Sequence, residues 1–289
     1  MGKSIEELIG GIPSLGSYAG VLQEIEAILD DPQSTLDQVG EIIEKDPDLT
    51  ARLLKLGNSS FFGFPQRIET VADTISLIGI QQVQDLISVS MVIELFEGVS
   101  ADLVDMESFW KHSLGCGLIA RQLATARRLA KPERYFVAGL LHDVGRMVLY
   151  TRSPEDARRV FGLYQTKVML LRTAEQEVLG FNHCEIAEGL LMKWDYPAQL
   201  VAAVRHHHTP MSAGAYQMEA SLVHIADYLV NGMQLGSSGE RYVPPAQRQA
   251  WERIGLETDC LDALVESVDA QIIEVEQAFL ARECTTAQG

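Results

Sequence analysis

A chain of 289 residues that is 47% hydrophobic and 22% charged carries enough apolar material for a buried core, which excludes a disordered chain as the default. Its formal charge of −17 argues against a coat for nucleic-acid polymers, which needs clustered excess lysine and arginine. Four cysteines without C-x-x-C spacing (Cys116, Cys184, Cys260, Cys284), an acidic N-terminus without a signal-like apolar core, and no apolar run near the ~18 residues that span a bilayer predict reduced thiols, a cytoplasmic location and no membrane association.

In chain order, "GVLQEIEAILDDP" repeats Leu22, Ile25, Ile28 and Leu29 at helical spacing and stops at Asp-Asp-Pro. "STLDQVGEIIEKDPDLTARLLKLGNSS" holds two more helices, the second opened by Asp46 as N-cap with Pro47 at the first helical position. "NSSFFGFPQRI" is a loop of turn formers whose three Phe read either as a recognition surface or, in preference, as packing that pins the loop to the helices. "IETVADTISLIGIQQVQDLISVSMVIELF" predicts a helix, a break near Gly79 and a long apolar helix. Apolar density drops across residues 96–108, a junction. Beyond it "FWKHSLGCGLIARQLA", "YFVAGLLHDVGRMVLY", "NHCEIAEGLLMKW", "PAQLVAAVRHHHTP" and "EASLVHIADYLVNG" read as short amphipathic helices, with a mixed acidic and basic stretch from Pro154 to Leu179. The basic cluster from Arg121 to Arg134 reads as a solvated helix face and loop. "GMQLGSSGERYVPPAQ" is a Gly/Ser/Pro loop, and Leu261, Leu264, Val268, Ile272 and Val275 mark a terminal helix. Nothing alternates as strands do. The expectation is an all-α multi-helix bundle in three parts: an N-terminal half over 1–104, a helical core over 105–235 and an extension over 236–289.

"GLLHDVGRMVL" sets His142 and Asp143 side by side in an apolar run, where burial costs several kcal/mol, roughly, unless each is satisfied. On one helix, neighbours project about 100° apart and flank a common point. His112 lies beside Gly115 and Gly117. His183 follows Asn182, a cap that pairs with Glu185 in a capping box. His206, His207 and His208 end a helix stopped by Pro210, and Asp227 follows His224 by three residues. All seven histidines fall between residues 112 and 224. Imidazole with carboxylate is the ligand set of iron, manganese, nickel or zinc. Spacing alone leaves two readings open, a shared metal site or unrelated structural histidines.

The order His112, His142-Asp143, His183, adjacent histidines, Asp227 resembles the HD superfamily of metal-dependent phosphohydrolases, and in particular its HDOD branch of signalling domains. "IPSLGSYAGVLQEI", "DPDLTARLLKLGNSSFFGF" and "ADTISLIGIQQVQDL" resemble the first half of HDOD domains. "FWKHS", "VAGLLHDVGRMVL", "WDYPAQLVAAVRHHHTP" and "HIADYL" resemble the second, over roughly residues 12 to 232.

The resemblance implies that His112, His142, Asp143 and Asp227 are ligands of a basic HD metal centre. It implies that His183, His207 and His208 extend it to two divalent ions (iron, manganese, nickel or zinc), with Asp143 as the bridge. His206 stands as an alternative to its neighbours, and His224 as a supporting contact. Such a pair of ions activates water and orients a phosphoryl group for in-line attack. Asp143 and Arg146 would then be the catalytic residues, Arg146 replacing a lysine of the related HD-GYP enzymes as a planar fork for phosphate.

Departures bear on the activity. The Gly-Tyr-Pro loop of the cyclic-dinucleotide phosphodiesterases is replaced by "HHTPMSAGAYQ", and Ser108 stands where trinuclear relatives carry a Glu, which implies at most two metals. Two function classes follow. One is an HDOD regulatory module that meets a signalling protein partner. The other is a metal-dependent phosphohydrolase or phosphodiesterase with a nucleotide or phosphodiester ligand.

Overall fold

The computed structural model describes residues 2–13, 20–29, 33–96 and 99–280. Among them there are helices and no strands. Helix α1 (Ile5–Gly10) is followed by α2 (Gly20–Leu29), α3 (Leu36–Ile43), α4 (Pro47–Gly57), α5 (Val71–Ile78) and α6 (Ile80–Leu95). Then come α7 (Met106–Ala126), α8 (Glu133–Leu141), α9 (Val144–Arg152), α10 (Pro154–Thr166), α11 (Leu171–Leu179), α12 (His183–Lys193) and α13 (Ala198–Arg205). Two short 3-10 turns lead into α14 (Gln217–Met233), α15 (Arg248–Ile254) and α16 (Cys260–Phe279).

Local chemistry starts the helices where the sequence predicts. Asp46 caps α4 by accepting from the amides of Asp48 and Leu49, with Pro47 at the first position. Gly79 separates α5 from α6 at φ +98°, a backbone that L side chains rarely adopt, and the two helices bend by 115°. By length and apolar composition that bent pair passes for a membrane segment, but Val83, Leu86, Ile87 and Val89 are buried in the protein core. No single described helix is long and apolar enough to cross a membrane.

One contiguous core joins the parts, from Leu8 through Ile43 and Ile87 to Leu118, Ile225 and Phe279. Helix α7 is its axis, packing on α8, α14 and α16, while α16 also packs on α4 and so ties the two ends of the chain together. Helix α1 docks on α9 and α12. In the Phe-rich loop one ring packs inward and two stay partly exposed. Phe61 is buried edge-to-face against Phe136 of α8, and the Arg121 guanidinium lies 4.1 Å over its ring. Arg121 is therefore drawn out of the solvated face expected for the Arg121–Arg134 cluster.

Glycines set the spacing around the centre of the bundle. A Cβ on Gly139 would stand 2.6 Å from the Cys116 carbonyl oxygen, so α8 crosses α7 backbone to backbone. A Cβ on Gly145 would stand 2.0 Å from the His183 carbonyl oxygen, so α9 meets the first turn of α12 just as closely. These two contacts bring His112, His142, Asp143 and His183 together.

Candidate metal centre

The pair His142-Asp143 is not on one continuous helix, as the periodicity suggests. Helix α8 ends at Leu141, Asp143 leaves helical geometry at φ −102° and ψ 11°, and α9 begins at Val144. Small neighbours explain the break, because Gly139 and Gly145 let α8 press on α7 and α9 press on α12, two directions that one straight helix cannot follow. The kink aims both side chains into the same interior.

The imidazoles are oriented from behind. His142 Nδ1 donates to the Gly139 carbonyl at 2.6 Å, His207 Nδ1 to the Val204 carbonyl at 2.7 Å, and His183 Nδ1 to the Glu175 carboxylate at 2.6 Å. Each Nε2 lone pair is thereby directed inward, the arrangement that supporting partners impose on metal-binding histidines. His112 Nε2 lies 3.4 Å from His142 Nε2 and 3.3 Å from Asp227 Oδ1, and His142 Nε2 lies 3.4 Å from Asp143 Oδ2. On the other side His183 Nε2 is 3.5 Å from His207 Nε2 and 3.1 Å from Asp143 Oδ1. Asp143 thus turns one oxygen to each group. Oδ1, buried, has no hydrogen-bond partner, and neither does the buried Nε2 of His208, whose ring lies against His207 with centroids 4.0 Å apart. Donor atoms bound to one ion at roughly 2.0 to 2.1 Å stand about 3 to 3.5 Å apart, close to these separations.

The electrostatics suit a cation. Asp143, Asp227, Glu175 and Glu240 are buried around a single guanidinium, Arg146, and they draw further positive charge onto the imidazoles: against burial, Asp143 raises His142, and Cys184 and Glu175 raise His183 to about 10. Burial pushes the Asp143 carboxyl up, but Arg146, His142 and His183 outweigh it and hold it well below the carboxylate range. Asp227 is lowered to about 2 against burial, chiefly by its hydrogen bond with His112 and the charge of His142. Glu175 also falls to about 2, where burial is overcome by His183 and Arg146. Burial, together with His207 and His183, drives His208 well below its usual range, so it stays neutral with a lone pair free. An interior that keeps its carboxylates ionised and draws positive charge toward them is suited to a divalent cation.

The remaining residues separate into roles. His224 donates from Nδ1 to the His207 carbonyl and accepts the Gln247 amide on Nε2, so both nitrogens are engaged, in line with the supporting contact expected of it. His206 is half-buried and stands outside the three clusters of closely spaced donors. Arg146 is enclosed: it donates to Asp143 at 2.7 Å, to Glu175 at 3.2 Å and to the Ser238 hydroxyl.

Sequence reasoning missed three features. Glu175, inside the mixed stretch before Leu179, orients His183. Its signal is its place on the buried stripe of α11 with Leu171 and Ala174. The loop after α14 crosses the centre, with the Ser237 amide on the Ser108 carbonyl and Glu240 reaching Tyr164 and the Leu171 amide. Gly236 at φ +71° permits the crossing, since a Cβ there would stand 2.6 Å from the His112 amide nitrogen. Cys116 and Cys184, expected to be ordinary reduced thiols, lie beside His112 and His183. Cys284 falls outside the described residues.

The family model for the HDOD domain matches residues 15–210. The chain belongs to the HDOD family. Its fold is similar to an HDOD domain protein of unknown function from Geobacter sulfurreducens, at 25% identity and a TM-score of 0.75, covering 96% of this chain and 97% of that one. It is also similar to a candidate phosphohydrolase from Shewanella amazonensis SB2B at 23% identity and a TM-score of 0.72, covering 95% and 97% of the two chains. An uncharacterized protein of Treponema pallidum (strain Nichols) is 24% identical over 232 residues. That match takes in 80% of this HDOD chain, which spans less than half (44%) of the length of that curated relative.

Proposed function

We propose that this chain is a cytoplasmic HDOD signal-transduction module that retains a dinuclear HD-type metal centre. In this reading His112, His142 and Asp227 would hold one divalent cation, His183, His207 and His208 would hold the other, and Asp143 would serve both. Iron, manganese, nickel and zinc all suit such nitrogen and oxygen donors. When bound, the cations neutralise the buried carboxylates and offer Lewis acidity toward a phosphoryl oxygen.

The observation that carries the module reading is enclosure. His112, His142, His183 and His207 are fully buried, Asp143 and Asp227 nearly so, and the 234–247 loop is fastened over them through Ser237, Ser238, Glu240 and Gln247. A substrate phosphate would have to displace those contacts. Arg146 is engaged through Nε and Nη1 by Glu175, Asp143 and Ser238, so in this reading it positions the bridging carboxylate. The centre then works as a rigid pin for the helices that carry a partner-binding surface. The partly exposed, stacked rings of Phe62 and Phe64 are the anchors we assign to a signalling protein partner.

The complete donor set and the unpartnered Asp143 Oδ1 favour a second reading, a metal-dependent phosphohydrolase or phosphodiesterase for a nucleotide-like substrate. There Asp143 would help to hold ions that supply Lewis acidity toward a phosphoryl group, and Arg146 would be the residue that pairs with the phosphate. Hydrolysis of bis-nitrophenyl phosphate by metal-loaded protein decides between them. The module gives no turnover above free metal, with Phe62→Ala weakening partner capture at unchanged metal content. Turnover that disappears in Asp143→Ala selects the hydrolase.

A further inference from the structure

Each half of the centre carries a buried thiol that the histidine and aspartate pattern does not include. Cys184 Sγ lies 3.4 Å from His183 Nε2 and 3.9 Å from His207 Nδ1. The four donors of Cys184, His183, His207 and His208 all fall within 4.8 Å of one another. Cys116, one helical turn after His112, has its Sγ 3.7 Å from His112 Nε2 and is grouped in the same way with His142 and Asp227.

We infer that Cys184 is a sulfur ligand of the His183, His207 and His208 half, and that this half takes a thiophilic divalent cation, zinc or iron(II), in preference to manganese or magnesium. The inference rests on the metal reading above and narrows it. Three observations carry it. The Sγ–Nε2 separation of 3.4 Å suits two donors of one ion with bonds near 2.3 Å to sulfur and 2.0 to 2.1 Å to nitrogen, roughly, at a tetrahedral angle. Asp143 Oδ1, 2% exposed by residue and without a hydrogen-bond partner, lies 3.1 Å from the same His183 Nε2. The backbone also fixes the sulfur where it is, because the Cys184 amide donates to the Asn182 cap at the start of α12 and the side chain is buried with its neighbour His183. Soft thiolate selects zinc and iron over magnesium and manganese, whereas a set of imidazole and carboxylate alone discriminates less.

Cobalt(II) and zinc serve as probes on the whole chain. Cobalt-loaded wild type should show a thiolate-to-cobalt charge-transfer band in the near ultraviolet, and Cys184→Ser should lose it while keeping bound cobalt and the far-ultraviolet helix spectrum. Zinc-edge X-ray absorption on wild type, which needs no variant, should show a sulfur shell near 2.3 Å beside the nitrogen and oxygen shell, by the usual zinc–thiolate length. Zinc affinity of Cys184→Ser should fall by at least the roughly 10-fold that losing a mere supporting partner costs, with manganese affinity changing less. Cobalt bound without the band, a purely nitrogen and oxygen shell, or a band that persists in Cys184→Ser and vanishes in Cys116→Ser would overturn the inference while leaving the metal centre standing. Failure of wild type to bind cobalt or zinc at all would overturn both.

Discussion

Between Gly20 and Leu95 the buried polar side chains among the described residues are Ser59, Thr74, Ser88 and Ser90, each serving a nearby carbonyl. Between Met106 and Met233 the interior holds His112, His142, Asp143, Arg146, Glu175, His183, His207, His224 and Asp227. The first region is held by apolar area and by caps, which are local and tolerant. The second depends on charges that stabilise the fold only when all are present, because an unpaired charge inside a protein costs several kcal/mol, roughly, whereas a lost methylene costs about 1. The candidate metal ligands accordingly lie where the interior is polar, whereas the HDOD match over residues 15–210 takes in both regions.

The largest effect should come from breaking the polar interior. Asp143→Ala leaves Arg146 and two groups of imidazoles without their shared carboxylate, and should cost about 3–5 kcal/mol in urea unfolding of metal-loaded protein. Stripping metal from wild type should cost RT ln(1 + [M]/Kd), about 4 kcal/mol at a thousandfold excess over Kd, and should cost Asp143→Ala almost nothing more. If both proteins melt alike before and after verified metal removal, the centre does not hold this region together.

The apolar region sharpens the comparison from the other side. Leu53 is 2% exposed on α4, and Leu53→Ala should cost about 2–5 kcal/mol, the range for a buried leucine. That loss should be the same with and without chelator, since the mutation and the centre share no partner. A loss that shrinks on metal removal would show that the two interiors are coupled through α16 or α7.

The seam between them gives a smaller, pH-dependent effect. Asp85 on α6 faces α8 and α13 across a cavity of about 150 Å³ lined also by Gln81, Arg134, Tyr196 and Glu219. Burial lifts its carboxyl to about 6, against the Gln81 hydrogen bond and the charges of Arg134 and Lys131 and with Glu133 adding to the rise. A folded pKa above the unfolded value means the unfolded chain releases this proton first. Stability is then full below about pH 4, declines as pH rises toward 6, and stays lower by about 1–3 kcal/mol above it. Asp85→Asn should match wild type at pH 4 and exceed it at pH 8 in paired melting curves. Parallel curves at both pH values would remove Asp85 as the cause.

How much of this was legible follows the same division. Asp46 with Pro47, Asn182 with Glu185, and the Gly79 break act within a few residues of themselves, so the sequence carries their full cause. The ordered histidines and Asp227 were legible as a set because the family resemblance supplied the set. The break at His142-Asp143 was not, since it is imposed by Gly139 and Gly145 meeting other helices. Glu175 was one charge in a mixed acidic and basic stretch and becomes an interior anion only when α11 meets Arg146 and His183. The loop over the centre read only as a Gly/Ser/Pro loop because its partners, Ser108, Arg146 and Tyr164, lie some 70 to 130 residues earlier in the chain.

The smallest expected effect compares two caps of similar kind. Asp46 opens α4 in the apolar region, and Asn182 opens α12 one residue before His183, accepting from the Cys184 amide while its own amide donates to Glu185. Asp46→Ala and Asn182→Ala should each cost about 1 kcal/mol, the usual loss when a helix gives up a capping side chain. Their consequences for metal should differ. Frayed α4 is remote from every donor, so Asp46→Ala should leave the Kd for zinc unchanged. A frayed first turn of α12 loosens the backbone that holds His183 and Cys184 against Glu175, so Asn182→Ala should weaken zinc by on the order of 10-fold, the scale of a lost supporting partner. Zinc titration of both variants at matched folded fraction reads the difference directly. Equal affinities would mean that the His183 position is held by the Glu175 carboxylate alone and that the cap serves the helix and not the centre.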